Sequence, residues 1–203
     1  MFAGHVNRPD SGFPSPWTRG ASRVLAKTRV LELWGVMFSH PSRKSESEFS
    51  VIHSRDWVNV VATTPDHRMV LVRQFRFGIN APSLEIPGGI IEAGEDPIQA
   101  GVRELKEETG FVGSRTRLLG SIHPNPAIQD NRCHLIWVEN AVSLGSTAWD
   151  EHEELEILTP PIDEVYAQAR AGAITHSLAL NGLLLFEPHW LSLGSASGSA
   201  PAV

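Results

Sequence analysis

Apolar and polar residues alternate along much of the central part of the chain, in short runs separated by turn-forming residues. An alternation with a period of two is typical of half-buried strands. It predicts strands near residues 27–37, 48–54, 57–64, 69–76, 116–123 and 132–139. A further short strand is expected around Leu155–Leu158, and no internal repeat is visible.

A helical period replaces the alternation in three places, which predicts helices over residues 97–109, 161–171 and 177–187. In the first of these segments, Ile98, Val102 and Leu105 form one apolar stripe that should face a core. Asp96 is a good N-cap residue, and Gly110 tolerates the left-handed conformation that ends many helices. Strands mixed with a few helices in this order fit an α/β/α sandwich, so the predicted fold class is α/β.

The two ends of the chain differ in composition from its centre. Residues 1–22 are rich in Pro, Ser and Gly, which predicts a flexible N-terminal segment. Residues 193–203 are of low complexity and are expected to form a disordered tail. We therefore expect one folded domain over residues 23–192.

Composition excludes several classes of protein. The net charge of −6 argues against a nucleic-acid-binding protein, which normally has a basic face. No apolar run approaches the roughly 20 residues of a membrane span, and the opening residues do not resemble a secretory signal. The single cysteine, Cys133, is expected to be buried in a strand and fits a reducing compartment, which predicts a cytoplasmic location.

The predicted helix over residues 97–109 carries the candidate chemistry. Glu104 and Glu108 are four residues apart and share one face, and Arg103 can pair with Glu107 on the next turn. Glu95 precedes the helix and is expected either to orient the loop there or to bind an extra cation indirectly. Such a cluster of negative charge is costly unless a cation occupies it, and oxygen ligands suit Mg²⁺, with Mn²⁺ as the second choice. The simpler alternative is a solvated surface helix with many charges.

The spacing of these residues favours the metal site. From Gly89 to Phe111 the chain resembles the Nudix box, Gly-x5-Glu-x7-Arg-Glu-hydrophobic-x-Glu-Glu-x-Gly-hydrophobic, at every defined position. Phe111 stands where an aliphatic residue is commoner, which is a mild departure. The resemblance implies a Nudix hydrolase with the Nudix α/β/α sandwich, a mixed sheet and an N-terminal antiparallel strand region.

A second resemblance is more specific about the substrate. The stretch before the box, residues 57–89, is similar to that of the ADP-ribose pyrophosphatase group, and Pro126 stands sixteen residues after Gly110, as in that group. This similarity implies hydrolysis of a nucleoside diphosphate sugar, with ADP-ribose giving AMP and ribose 5-phosphate. GDP-mannose or another nucleoside diphosphate derivative is the alternative substrate. A non-catalytic nucleotide-sugar sensor on the same fold is a further alternative. The group also implies a homodimer.

The resemblance assigns metal-binding roles within and next to the box. Glu104 and Glu108 match the metal-binding glutamates of the family, and Glu107 matches a third that either binds metal or supports catalysis through Arg103. Gly88, directly before the box, matches a position whose backbone carbonyl completes a metal shell. Metal ions held in this way would activate a water and stabilise the transition state of diphosphate cleavage.

Three further sites are implied outside the box. Arg76 matches a residue that reaches the diphosphate, and Glu85 is expected to be a further ligand, a substrate contact or a structural anchor. The acidic segment 149–157 is expected to supply the catalytic base, with Glu153 as the first choice and Glu151 and Glu154 behind it. The alternative for Arg76 is an ion pair with a nearby acid, and for the acidic segment simple solvation. The scattered histidines match no zinc pattern and are predicted to be structural.

Overall fold

The computed structural model describes residues 15–149 and 154–196, which form twelve strands and three helices. The strands are β1 (Thr18–Lys27), β2 (Glu32–Ser39), β3 (Glu46–His53), β4 (Trp57–Thr63), β5 (Met69–Arg76), β6 (Ala81–Glu85), β7 (Gly88–Ile90), β8 (Phe111–Val112), β9 (Arg115–Ile122), β10 (Cys133–Glu139), β11 (Val142–Ser143) and β12 (Glu156–Leu158). The helices are α1 (Pro97–Thr109), α2 (Ile162–Arg170) and α3 (Ser177–Ala196). None of these helices is both long and apolar enough to cross a membrane.

The chain forms two compact units that divide between Ser54 and Arg55. The first unit contains an antiparallel sheet with the strand order β1-β2-β3. The sequence predicts one strand near residues 27–37, whereas the structure has two strands joined by a turn in which Thr28 Oγ1 accepts a hydrogen bond from the N–H of Leu31. β1 begins at Thr18, inside the segment predicted to be flexible. Every residue of β1 is exposed, so the strand has no apolar alternation by which the sequence could reveal it.

The second unit is built on a seven-stranded mixed sheet. Its main order is β12-β5-β4-β10-β9, while β6 pairs with β5 and β7 pairs with β4. β4 and β10 run parallel, and the other pairs in this sheet are antiparallel. The predicted strands that became β3, β4, β5, β9 and β10 lie within two residues of the observed bounds at each end.

Helices cover both faces of this sheet. On one face, Val58, Val60 and Ile136 pack with Ala100 and Leu105 of α1. On the other face, apolar residues of the sheet pack against α2 and α3 in a cluster that includes Val61, Leu71, Trp137, Val165 and Phe186. The central strands are therefore buried on both sides. This arrangement confirms the predicted α/β/α sandwich with a mixed sheet and a separate antiparallel strand region.

Helix α1 begins and ends as its sequence predicts. Asp96 Oδ1 accepts hydrogen bonds from the N–H groups of Ile98 at 2.9 Å and Gln99 at 3.3 Å, which satisfies two donors of the first turn. At the other end, Gly110 has a φ of 70° and donates its N–H to the carbonyl of Lys106. A helix fixed at both ends holds its side chains at constant spacing, which is what a multi-residue site needs.

Helix α3 is longer than predicted. The sequence predicts its end at residue 187 because Pro188 follows, yet the helix continues to Ala196. A proline inside a helix removes one backbone hydrogen bond and costs about 3 kcal/mol. Phe186 is fully buried before the proline, and Trp190 packs on the same apolar cluster after it. This packing on both sides of Pro188 offsets the local cost.

Cys133 has the structural role that the sequence predicts. The residue is fully buried in β10, and its Sγ lies 3.3 Å from Oδ1 of Asn59. Burial raises the pKa of the thiol to about 12. The thiol is therefore protonated at neutral pH and unreactive.

Candidate functional site

Three of the predicted carboxylates, those of Glu95, Glu104 and Glu107, surround a single arginine, Arg103. Arg103 donates to both carboxylate oxygens of Glu95, at 2.8 and 2.9 Å. Its Nη1 donates to Glu104 at 2.8 Å and to Glu107 at 3.0 Å. Nη2 also donates to the carbonyl of Ile90, 3.2 Å away. The predicted contact between Arg103 and Glu107 is present, and Glu95 fixes the loop before the helix as expected.

This network perturbs the titration of its members. The hydrogen bonds from Arg103 lower the pKa of Glu95 to about 2. The same carboxylates raise the pKa of Arg103, so the guanidinium is charged at any pH of interest. Arg103 is one positive charge, whereas Glu95, Glu104 and Glu107 can supply three negative charges. The cluster therefore carries a surplus of negative charge that a cation would neutralise.

Two glycines bring the neighbouring strand close to these carboxylates. A Cβ added to Gly89 would lie 2.4 Å from the carboxyl carbon of Glu104, and one added to Gly88 would lie 2.2 Å from the carbonyl oxygen of Val58. Gly88 also donates its N–H to Glu108 Oε2 at 3.0 Å, and Glu108 is buried. A side chain at position 88 would push β7 away from β4, whereas one at position 89 would displace the carboxylate of Glu104. The glycines thus allow β7 to hold Glu108 and to approach Glu104.

The segment after β11 binds the C-terminal end of α1. The backbone N–H of Ala148 donates to the carbonyl of Glu107, and the indole Nε1 of Trp149 donates to the carbonyl of Glu108, both at 2.8 Å. The N–H of Leu144 donates to the carbonyl of Gly110, also at 2.8 Å. The last carbonyls of a helix have no partner within the helix. Segment 144–149 supplies those partners, and it leads directly into the acidic segment.

Arg76 and Glu85 form a second ion pair, on the neighbouring strands β5 and β6. Nε and Nη2 of Arg76 donate to the two carboxylate oxygens of Glu85 at 2.8 and 2.6 Å. The side chain of Glu85 is fully buried, whereas that of Arg76 is 43% exposed. Burial alone raises the pKa of Glu85, but the hydrogen bonds and charge of Arg76 outweigh it, so the net pKa is lowered. Glu85 is therefore an ionised carboxylate, with Arg76 as its main partner and further contacts from Ser83 and His176.

The alternation of β5 indicates where Arg76 points. Val70 packs in the cluster that includes α1 residues, and Leu71 packs in the cluster on the α2 and α3 side. Successive side chains of a strand point to opposite faces, so alternation alone would give Arg76 the orientation of Val70. Its partner Glu85 nevertheless lies 3.4 Å from His176, the residue before α3, so the ion pair is also within reach of the helix on the opposite face.

The acidic segment is described only in part. Glu153, the first choice for the catalytic base, and Glu151 lie outside the described residues. Glu154 is exposed and lines a cavity of about 460 Å³ together with Arg73, Phe75 and other residues of β5, β6 and β12.

The carboxylates of the box are chemically suitable ligands for a hard cation. Their present orientation, however, does not form a metal site. In the described part of the chain, no three His, Cys, Asp or Glu side chains converge on one metal-sized position. The reason is that Glu104 and Glu107 are turned towards Arg103, and Glu108 is turned towards the N–H of Gly88. Oxygen donors on one helix, with a surplus of negative charge, are the donor set that Mg²⁺ or Mn²⁺ requires. Rotation about side-chain bonds would be enough to redirect them.

Sequence reasoning predicted only a structural role for His176 and gave Trp149 no role of its own. His176 lies directly before α3, and its Nδ1 is 3.4 Å from Glu85 Oε2. Both residues act through contacts between segments that are distant in sequence, and no local spacing reveals such contacts. Only the position of Trp149 beside the acidic run could have drawn attention to it.

A Ser-His-Asp arrangement was not evident in the sequence, but the structure contains one. Ser121 Oγ lies 2.8 Å from Nδ1 of His134, and Nε2 of His134 lies 3.4 Å from Asp56 Oδ2. Ser121 and His134 are cross-strand partners in β9 and β10. Asp56 also accepts the N–H of Arg132 through Oδ1. These contacts join two strands to a loop, and we assign them a structural role.

Comparison with known proteins agrees with this geometry. The family model described as NUDIX domain matches residues 53–178. The chain is 27% identical over 145 residues to the ADP-ribose pyrophosphatase of Bacillus subtilis (strain 168), covering 71% of this chain and 78% of that protein. It is 29% identical over 181 residues to the CMP-5'-(N-acetyl-N-hydroxy-3-aminopropyl)phosphonate hydrolase of Streptomyces rubellomurinus (strain ATCC 31215), covering 89% and 84%.

The fold has a solved counterpart. A crystal structure of ADP compounds hydrolase superposes with a TM-score of 0.78 over 90% of this chain and 97% of that one. The sequence identity is 21%, so this likeness shows the fold alone. Matches to several other curated relatives span less than two thirds of those proteins.

Proposed function

Because the chain belongs to the Nudix hydrolase family, we propose that it hydrolyses the diphosphate bond of a nucleoside diphosphate sugar in a metal-dependent reaction. ADP-ribose is the proposed substrate, with AMP and ribose 5-phosphate as products. The observation that carries the proposal is the cluster of Glu95, Glu104 and Glu107 around Arg103, with Glu108 held beside it by Gly88. The relative from Bacillus subtilis, an ADP-ribose pyrophosphatase, supports the choice of substrate.

The metal ligands that we propose are Glu104, Glu107, Glu108 and the backbone carbonyl of Gly88. Mg²⁺ is the proposed cation, with Mn²⁺ as a substitute. A divalent cation, when bound, lowers the pKa of a bound water and neutralises charge on the diphosphate. Arg103 supports these ligands because it fixes the carboxylates of Glu104 and Glu107 in the absence of metal.

Arg76 is the proposed contact for the diphosphate. A guanidinium suits two phosphate oxygens, and the side chain of Arg76 is partly exposed. Glu85 is fully buried, so we propose that it serves substrate binding through Arg76, whose position it fixes with two hydrogen bonds. An ionised partner also keeps the guanidinium oriented before the substrate arrives.

Glu153 is the proposed general base that takes the proton of the attacking water, with Glu151 and Glu154 behind it. General-base catalysis by a carboxylate contributes about 10²–10⁴-fold. The described residues of the acidic segment support this choice. Trp149, at the start of the segment, donates to the carbonyl of Glu108 in the box helix, and Glu156, near its end, binds Arg73 of β5.

Two other functions are alternatives. The Streptomyces rubellomurinus relative is a CMP-linked phosphonate hydrolase, which supports hydrolysis of a different nucleotide derivative; GDP-mannose is the other candidate. A nucleotide-sugar sensor without activity is the alternative from another class. It is disfavoured because every glutamate of the box is present.

A homodimer is also proposed. All ten residues of β1 are exposed, and among them Val24 is 52% and Leu25 is 39% exposed. Apolar side chains on an exposed strand are typical of a surface that a partner covers. Light scattering coupled to gel filtration measures the mass directly, and a single species of one chain's mass would exclude the dimer. A cytoplasmic location stays a prediction from the single cysteine.

The test of the proposed function is a substrate panel in Mg²⁺ with EDTA as the metal-free control. The panel contains ADP-ribose, GDP-mannose, NADH, a diadenosine polyphosphate and dGTP. We expect AMP to appear fastest from ADP-ribose and to stop with EDTA. Faster release from GDP-mannose would move the specificity and keep the reaction. No hydrolysis across the panel, together with tight binding of ADP-ribose, would exclude the proposed enzymatic activity and favour a nucleotide-sugar sensor.

The panel is run in parallel on two variants. Glu104→Gln removes a proposed metal ligand, and Glu164→Gln makes the same chemical change at an exposed position of α2, where Glu164 accepts a hydrogen bond from Gln168. We expect Glu104→Gln to lose activity and the control to keep it. Equal activity of the two variants would contradict the proposed metal site.

A further inference from the structure

The N-terminal end of α3 reaches the ion pair between Arg76 and Glu85. His176 is the residue before α3, and its carbonyl accepts the N–H of Leu180 at 3.0 Å, which ties its backbone to the first turn of the helix. The imidazole Nδ1 lies 3.4 Å from Oε2 of Glu85, and the histidine side chain is 22% exposed. One carboxylate oxygen therefore has Nη2 of Arg76 and Nδ1 of His176 around it.

Nδ1 of His176 is buried and has no partner with good hydrogen-bond geometry among the described residues. A buried polar atom without a hydrogen-bond partner costs free energy, so such an atom calls for an explanation. The acceptor 3.4 Å away is the Glu85 carboxylate, which is itself fully buried and cannot be served by bulk water. A small rotation of the ring would convert this contact into a hydrogen bond.

We propose that His176 is a positioning residue for Arg76, acting through Glu85: an Nδ1–H donated to Oε2 sets the rotation of the carboxylate. Two parallel hydrogen bonds to Arg76 require the carboxylate and guanidinium planes to coincide. A third donor at one oxygen restricts the rotation of the carboxylate and so directs the exposed end of Arg76. The inference rests on the proposed function, in which Arg76 contacts the diphosphate.

A role in merely attaching α3 does not explain this contact. Ala179, Leu183 and Phe186 are buried in the core cluster and hold α3 on the sheet without His176. Burial lowers the pKa of His176, and this effect exceeds the opposing effect of Glu85. The imidazole is therefore neutral at pH 7 and carries one proton, on either Nδ1 or Nε2. The positioning role requires that proton on Nδ1.

The first experiment compares three variants of the full chain in steady-state hydrolysis of ADP-ribose. His176→Asn places an amide nitrogen near the position of Nδ1, His176→Gln places one near Nε2, and His176→Ala has neither. We expect His176→Ala to raise KM about tenfold, with a smaller change in kcat, because a hydrogen bond to a charged group is lost. His176→Asn should restore most of the wild-type KM and His176→Gln should not. Equal KM values for the Ala and Asn variants would overturn the proposal.

The second experiment tests whether the effect passes through Arg76. His176→Ala is combined with Arg76→Lys, which keeps the charge beside Glu85 but removes the two-pronged geometry. We expect the change in kcat/KM caused by His176→Ala to fall from about tenfold in wild type to less than about twofold in the Arg76→Lys background. The same loss in both backgrounds would show that His176 acts independently and would overturn the proposal.

A third measurement separates this inference from the proposed function. If wild type hydrolyses nothing in the panel, the proposed function fails, and the tautomer of His176 is still measurable. Long-range proton–nitrogen NMR spectra of the wild-type protein at pH 7 should place the His176 proton on Nδ1. A proton on Nε2 would overturn the positioning role whatever the activity. If wild type is active and the effects of His176→Ala and Arg76→Lys on kcat/KM are additive, the proposed function stands and only this inference is excluded.

Discussion

Two arginines of this protein bind carboxylates in contrasting ways. Arg103 is shared by Glu95, Glu104 and Glu107, which are between 13% and 43% exposed. Arg76 binds Glu85 through two hydrogen bonds, and that carboxylate is fully buried. In the first arrangement three carboxylates surround one guanidinium, and in the second a buried carboxylate forms a two-pronged ion pair with one guanidinium.

The difference separates a site for a cation from a contact for an anion. A partly hydrated cluster with surplus negative charge can accept a divalent ion without leaving a bare charge behind. A buried carboxylate has no such freedom, because an uncompensated charge in the interior is strongly destabilising. Glu85 therefore commits Arg76 to one orientation, while Arg103 can exchange its partners. The predictions below test this contrast, starting with the largest effect.

Replacing Glu108 tests the cation side of the comparison. We expect Glu108→Gln to lower kcat/KM by at least about a hundredfold, since even partners of metal ligands are worth about 10- to 100-fold. The amide keeps the size of the side chain, so circular dichroism and the melting temperature should change little. A variant that keeps most of its activity would exclude Glu108 as a metal ligand.

Replacing each arginine in turn compares how much Arg76 and Arg103 contribute to the stability of the fold. We expect Arg76→Met to lower the free energy of unfolding by about 3 kcal/mol, because it leaves the buried carboxylate of Glu85 without its partner. Arg103→Met should cost about 1 kcal/mol, since the carboxylates around it are partly solvated. Urea unfolding monitored by circular dichroism measures both. Equal losses would contradict the contrast between a paired and a shared arginine.

The sequence predicts the Arg103 region far better than the Arg76 region. Helix α1, its N-cap Asp96, its end at Gly110 and the contact between Arg103 and Glu107 all follow from spacings within one helix and its caps. Glu85, which binds Arg76, is nine residues away on another strand. His176, which contacts Glu85, directly precedes α3 and is one hundred residues from Arg76. Pairings of this kind depend on tertiary packing, which local patterns do not encode.

The same limit explains what the sequence left out of the fold. β1 lacks an apolar face, so no alternation predicts it. Pro188 is a correct local signal for a helix end, but burial of Phe186 and packing of Trp190 override it. The roles of Glu153 and the other proposed site residues stay predictions.

Trp149 tests how firmly the end of the box helix is held. Trp149→Phe keeps an aromatic ring but removes the donor to the carbonyl of Glu108. We expect a loss of about 1 kcal/mol in the free energy of unfolding, the usual contribution of one hydrogen bond. Trp17→Phe is a matched control in the first unit, where the ring contacts His40 and Phe49 edge-on. No difference between the two variants would indicate that the indole N–H contributes nothing at the helix end.

The smallest effect concerns pH. Arg103 holds the pKa of Glu95 at about 2, below its usual value of 4.5, so the ionised form stabilises the folded state. That contribution is complete above the unfolded pKa of about 4.5 and is lost as pH falls towards 2. We expect the melting temperatures of wild type and Glu95→Gln to differ most above pH 5 and to converge on acidification. A constant difference between pH 7 and pH 3 would exclude this linkage.

The buried thiol of Cys133 makes the protein suitable for site-specific labelling. Its raised pKa and lack of exposure leave the natural chain without a thiol that reagents can reach. A cysteine introduced on the surface would therefore take a spin label or fluorophore alone, with no need to remove the native one. Two such cysteines, one on each side of the division between Ser54 and Arg55, would report the distance between the two units with and without a nucleotide.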